Sequence, residues 1–168
     1  YGLAMNKEDT FIGGNSMGGF GAMHAALMFP ETFGAAMGLS SAAIAKQLPE
    51  MKKNLQPNRM ANLEYYIEQF GDLDKAPESD INAEWQYKQN VEKGIENPRI
   101  FMACGTEDFG IENNHNLAKF FREQGADIEY YEHLLKLLKS EYPDIEIHGF
   151  SPMMIKDAAL KSEMPIEE

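Results

Sequence analysis

One cysteine, Cys104, stands in 168 residues, so no internal disulfide can staple this fold. That fits a reducing compartment, and a cytoplasmic location is expected. Basic side chains are scarce: 15 Lys and Arg face 27 Asp and Glu, for a net charge of −12 and a pI near 4.7. Such a balance argues against nucleic acid or an anionic membrane as a partner. No apolar run approaches the roughly 20 residues of a membrane span, and no signal-peptide pattern opens the chain. The four histidines and the lone cysteine fall at no metal-ligand spacing, so neither a metal nor another cofactor is implied. What remains is 43 % hydrophobic and 25 % charged, enough for one domain with a core. The chain opens on Tyr1 rather than Met, and the numbering is expected to start inside a longer protein.

The most informative stretch runs from Thr10 to Gly21, TFIGGNSMGGFG. It reads as a short apolar strand, then Gly-x-Ser-x-Gly, then a helix of small residues. A bare Gly-x-Ser-x-Gly should arise by chance in about 5 % of chains this long, but the strand before it and the helix after it are independent conditions. Together they describe a sharp strand-to-helix turn that exposes a serine hydroxyl at a helix N-terminus. Ser16 is the candidate nucleophile, and Gly14 and Gly18 flank it where a Cβ is expected to clash. The dipole and free N–H groups of the following helix would stabilise a developing oxyanion. The competing reading is a glycine-rich turn that binds phosphate or merely turns. Gly13-Gly14-Asn15-Ser16 lacks both the P-loop lysine and the dinucleotide-binding spacing.

Residues 10–14 form the first expected strand and 17–29 the first helix, stopped by Pro30. Phe33 to Ser40 reads as a second buried strand. From 42 to 98 the sequence is polar, irregular and mostly helical, with Leu63, Tyr66, Ile67 and Phe70 at helical spacing. This insertion lies where a cap over an active site could be built, although its aromatics equally suit helix packing. Arg99 to Cys104 is the third strand, Asn113 to Gln124 a helix closed by Gly125, and Asp127 to Tyr131 the fourth strand. The alternation predicts an α/β fold with a parallel sheet and flanking helices, with functional groups at the carboxyl ends of strands.

A serine nucleophile needs a base oriented by a carboxylate, in the chain order Ser, Asp or Glu, His. Asp108 follows the third strand by a short turn and is the natural acid; its alternative role is to cap the next helix. Glu107 and Asp9 are weaker candidates. Among the histidines, His24 and His115 sit inside helices. His133 directly follows the fourth strand and is the preferred base, with His148 next; either could equally be a surface or packing residue.

With those residues in place, about Leu3 to Glu132 resembles the α/β-hydrolase esterases of the esterase D, tributyrin esterase and feruloyl esterase group. The segments that carry the resemblance are residues 7–22, Phe29-Pro30-Glu31-Thr32-Phe33-Gly34, Leu39-Ser40-Ser41 and Cys104-Gly105-Thr106-Glu107-Asp108-Phe109. The resemblance implies Ser16 as nucleophile, Asp108 as triad acid and the Met17 backbone N–H in the oxyanion hole. Implied substrates are small acyl esters, such as acetylated or feruloylated sugars, or an acyl-glutathione. Two departures follow. The family places about four strands before the serine turn, and here that half is expected to be missing. The family also ends its last strand in a Gly-Gly-His-Asp-Trp type of loop, where this chain reads His133-Leu134-Leu135-Lys136.

From about Tyr130 to Glu168 the chain resembles part of the radical SAM enzymes of the futalosine route to menaquinone, without the cysteines of their cluster. Tyr130-Tyr131-Glu132 fits both parents, as a recombination or assembly junction would. The expectation is therefore a partial α/β-hydrolase domain over 1–132, with a cap insertion at about 42–98, and a tail of different origin over 133–168. Two functions stand side by side: a serine carboxylic-ester hydrolase, impaired here, and a non-catalytic remnant without the histidine and the earlier strands. The first strand would leave one sheet edge open, inviting an oligomer through that edge.

Overall fold

The computed structural model describes residues 6–54, 62–132 and 140–142. His133, His148 and nearly all of the expected tail lie outside the described residues. Four strands, β1 (Phe11–Asn15), β2 (Ala35–Leu39), β3 (Arg99–Ala103) and β4 (Ile128–Tyr131), form one sheet in the order β1-β2-β3-β4. Every pair is parallel, in a register that aligns Gly13, Met37, Phe101 and Glu129 across the sheet. The α/β class expected from the sequence is the one observed.

Among the described residues five α-helices join the strands: α1 (Met17–Met28), α2 (Leu48–Asn54), α3 (Leu63–Phe70), α4 (Ala83–Glu92) and α5 (Ile111–Glu123). In α1, Gly19, Ala22, Met23, Ala26 and Leu27 are buried, an i, i+3, i+4, i+7, i+8 stripe whose small residues allow close approach to the sheet. Met23 and Leu27 pack with Ala36, Ile100 and Met102 of the sheet, Tyr87 of α4, and Leu117 and Phe121 of α5. Thus α1, α4 and α5 all cover the same sheet face. The physical reason is handedness: strands that advance in one direction through right-handed crossovers carry their connecting helices on one side. The opposite face is less covered among the described residues, with Phe11 67 % and Met37 40 % exposed.

Inside the 42–98 insertion, Leu48, Leu73 and Ala76 centre a second, smaller cluster with Tyr66 and Phe70 packed on it. Phe70 also meets the Phe20 ring of α1 edge-on at 5.5 Å. Helix α4, although part of the insertion, belongs to the main core. Its buried Asn90 donates to Leu27 O at 2.8 Å and to Asn97 Oδ1 at 2.8 Å, and accepts from Gln86 Nε2 at 3.0 Å.

β1 is an edge strand. Ser16 N–H donates to Leu39 O and Gly34 N–H to Thr10 O, both at 2.9 Å, so the even-numbered peptide groups face β2. By the two-residue period of a strand, the N–H and C=O groups of Phe11, Gly13 and Asn15 point to the open side.

Candidate active site

The carboxyl ends of the four strands are linked by backbone hydrogen bonds. Ser16 O accepts from Phe20 N at 3.1 Å, which starts α1, and also from Ala42 N at 3.0 Å. Ser40 N donates to Ala103 O at 2.7 Å, and Cys104 N to Tyr131 O at 3.0 Å. Two residues at these ends, Ser16 (φ 55°) and Ser40 (φ 41°), have positive φ, and among the described residues they are the non-glycine ones in that region of backbone space. Each such conformation costs about 1–3 kcal/mol and is held only by its surroundings. For Ser16 the surroundings are the two bonds to its carbonyl and the one from its N–H.

Ser16 occupies the N-cap position of α1, where a serine side chain ordinarily accepts from the helix N–H groups. Here it makes no such bond. The residue has φ 55° and ψ −119° and is exposed. Met17 is the first helical residue, so its N–H has no intrahelical acceptor, and it stands beside Ser16 at the positive end of the helix.

The glycines correct one expectation. A Cβ on Gly14 would lie 2.3 Å from the carbonyl carbon and oxygen of Gly18. A Cβ on Gly18 would meet nothing within 4 Å. The tight contact is one-sided because the Gly14 Cα faces the first turn of α1, whereas the Gly18 Cα faces outward. Gly19 shares the crowding, since its Cβ would sit 3.0 Å from Gly14 O and 3.2 Å from Ser41 Cα.

Asp108 is half-buried in the turn between β3 and α5. Its N–H donates to Gly105 O at 3.0 Å, its carbonyl accepts from Ile111 N at 3.1 Å, and its Oδ1 accepts from Gly110 N at 2.7 Å. The last contact closes a short turn onto Gly110, the N-cap residue of α5, and reaches no N–H of the helix itself, so the helix-capping role that the sequence left open for Asp108 is not the one it plays. By strand spacing, the end of β3 stands roughly 10 Å from the end of β1, and that of β4 about 14 Å away.

Neither described histidine hydrogen-bonds to these groups. His24 is two turns into α1 and stacks on Phe20, and its Nε2 is buried without a hydrogen-bond partner. It lines a cavity of about 380 Å³ between α1, the Ala43–Gln47 segment and α5, whose wall includes Ser41 but not Ser16. His115 Nδ1 lies 2.9 Å from Glu132 Oε1 on the outer side of α5. The neighbouring Cys104 is buried, and that burial raises its thiol pKa to about 11; the Asp108 charge adds to the rise. The Tyr130 hydroxyl is pushed up as well, first by burial and then by the Glu132 carboxylate. Among the described residues no group of three or more His, Cys, Asp or Glu could hold a metal ion. No described helix is long and apolar enough to cross a membrane.

Sequence reasoning missed Asn114. It is fully buried in α5, and its amide bonds the backbone of Ser41. The signal was present: Asn114, Leu117, Ala118 and Phe121 follow one helical stripe, so this asparagine had to be buried and satisfied.

The geometry is that of an α/β protein with a strained serine on a strand-to-helix turn, and sequence comparison places it. The sequence model of the Esterase family matches residues 2–138, and the chain belongs to that family. An acetyl esterase of Caldicellulosiruptor saccharolyticus is 39 % identical over 132 residues, covering 77 % of this chain and 48 % of that protein. The chain therefore spans about half the length of that relative. Among solved structures, the S-formylglutathione hydrolase of Staphylococcus aureus has a TM-score of 0.64 at 21 % identity, covering 84 % of this chain and 54 % of the other. Esterase B of Lactobacillus rhamnosis, inhibited by a tributyrin phosphonate, has a TM-score of 0.54 at 16 % identity over 96 % of this chain and 52 % of the other. These two likenesses show a shared fold. A separate short match, 43 % identical over 44 residues, covers 26 % of this chain and 12 % of a 5-amino-6-(D-ribitylamino)uracil–L-tyrosine 4-hydroxyphenyl transferase of Methanothermobacter thermautotrophicus.

Proposed function

We propose that this chain carries the nucleophile and the acid of a serine carboxylic-ester hydrolase acting on short acyl esters. One observation carries the reading: Ser16 sits at the N-cap of α1 in a strained conformation yet makes no capping bond. Strain maintained without a structural return is the mark of a group held for chemistry.

In the proposed reaction Ser16 Oγ attacks the ester carbonyl carbon while its proton passes to an imidazole. The carbonyl oxygen becomes an oxyanion that accepts a hydrogen bond from Met17 N–H. The alcohol leaves with the proton, the acyl group stays on Ser16, and water then releases it as the acid. Asp108 uses Oδ1 on Gly110 N–H and offers its other oxygen to orient the imidazole. The base comes from beyond β4, with His133 as the candidate, and it must be carried back over about three strand spacings to reach Ser16. The acetyl esterase relative supports acetyl as the acyl group. The lone buried Cys104 supports a cytoplasmic location.

Turnover is expected below that of a serine hydrolase with an assembled triad, because neither described histidine bonds to Ser16 or Asp108. We assign the insertion at 42–98 as a cap and 133–168 as a tail of separate origin, which the short transferase match supports. The open β1 edge offers a route to oligomers. A second reading, a non-catalytic remnant, is favoured by one observation: neither His24 nor His115 bonds to Ser16 or Asp108.

Hydrolysis of 4-nitrophenyl acetate by the wild-type chain and by Ser16→Ala separates the two. Serine-dependent turnover above background is expected. Turnover that survives Ser16→Ala would overturn the mechanism, and absence of turnover in both would leave the remnant reading standing.

A further inference from the structure

We infer that Asn114 is a positioning residue whose single amide group fixes the Ser16 turn relative to the Asp108 turn. The inference rests on the roles proposed above for those two residues. Asn114 is fully buried on α5. Its Nδ2 donates to Ser41 O and to Gly110 O, each at 2.9 Å, and its Oδ1 accepts from Ser41 N at 3.1 Å.

Each of the two acceptor carbonyls belongs to a peptide unit that donates onward. The Ser41 carbonyl shares its planar unit with Ala42 N–H, which donates to Ser16 O at 3.0 Å. The Gly110 carbonyl shares its unit with Ile111 N–H, which donates to Asp108 O at 3.1 Å. One NH₂ group thus sends two parallel relays, each through one rigid peptide, to the carbonyls of the two residues proposed to act together. Chains of this kind polarise each bond along them, so each relay is stiffer than its links alone.

The chemistry demands an amide of this length. Aspartate lacks the two donors and would place charge against two carbonyls. Leucine fills the volume but leaves the Ser41 N–H without a partner and removes the side-chain donor from both carbonyls, which then keep only the backbone N–H groups of Ala43 and of residue 114. Glutamine is one methylene longer in a site with no exposed surface.

Native-state hydrogen exchange on Asn114→Leu and Asn114→Asp tests the inference without depending on turnover. Exchange at Ala42 and Ile111 is expected to accelerate by about tenfold or more, while Ala36 in β2 and Met102 in β3 keep wild-type protection. Equal acceleration everywhere would mark a merely structural residue and overturn the inference, and so would unchanged exchange at Ala42. Should both variants fail to fold, the wild-type protein still decides. Both Asn114 side-chain NH₂ protons must exchange far more slowly than those of the exposed Asn54, and exchange at a free-amide rate would overturn it. Where turnover is measured, kcat should fall with KM little changed, and an unchanged kcat in a folded variant would count against the positioning role. Activity that persists in Ser16→Ala refutes the nucleophile assignment instead, and leaves the exchange result to judge Asn114.

Discussion

Replacing Gly14 and Gly18 separately with alanine should move stability in opposite directions, although the two residues occupy matching positions around Ser16. At Gly14 the new Cβ would stand 2.3 Å from Gly18 C and O and 2.9 Å from its Cα. Ordinary contact begins near 3.4 Å, so the start of α1 would have to retreat by about 1 Å. It is not free to do so. Ser16 O holds both Phe20 N and Ala42 N, and Gly19 already lies against Ser41. Overpacking costs about 1–3 kcal/mol where side chains can adjust, and here only backbone is available, so we take about 3 kcal/mol. For a chain of this size that lowers the melting temperature by roughly 6–12 °C. At Gly18 the Cβ meets nothing, and alanine in place of a helical glycine gains up to about 1 kcal/mol, raising the melting temperature by roughly 2–4 °C. Thermal melts followed by circular dichroism, run side by side at one pH, measure both. A Gly14→Ala protein melting within 2 °C of wild type, or a Gly18→Ala protein equally destabilised, would refute the one-sided packing.

Other perturbations probe the rest of the structure. Asn90→Ala leaves Leu27 O and the Gln86 and Asn97 amides without their shared partner, and should cost about 2–4 kcal/mol, read as a lower urea midpoint at unchanged m value. Phe121→Ala empties a fully buried site in the main core and should cost about 3–5 kcal/mol in the same assay. Native Cys104 should resist a thiol reagent at pH 9, where an unhindered thiol is half ionised, and react at once in urea. The same thiol sets a pH dependence. Its pKa is raised from 9.0 to about 11 by folding, so its contribution is complete below pH 9 and is lost as pH rises toward 11. The stability difference between wild type and Cys104→Ala should therefore shrink by up to roughly 3 kcal/mol across that window, measured by urea melts at several pH values.

Much of this architecture is visible in the sequence because its signals are local. Apolar runs, Gly125 and Pro30 locate the four strands and helices α1, α3 and α5 to within two residues, whereas α2 and α4 were legible only as part of a mostly helical stretch over 42–98. The differences have physical causes. β1 extends to Asn15 because Asn15 still pairs with Leu39. β2 stops at Leu39 because Ser40 turns to positive φ, and it starts at Ala35 because Phe33 N still bonds to Phe29 O at the end of α1. The Ser16 turn and the Asp108 loop were legible for the same reason, each being a short motif at the end of a strand. Relations across space were not legible. Nothing in Gly-x-Ser-x-Gly says which glycine faces backbone. The polar run around Asn114 conceals one side chain that joins two turns, and no periodicity tells which histidine reaches Ser16.

The most direct test is covalent. A fluorophosphonate reacts with a serine only when its hydroxyl is activated and an oxyanion site faces it. Intact mass followed by peptide mapping of the labelled wild-type chain should show one adduct, on Ser16, that is absent from Ser16→Ala. A wild-type chain that remains unlabelled, or an adduct on any other residue, would contradict the assignment of Ser16 as the nucleophile.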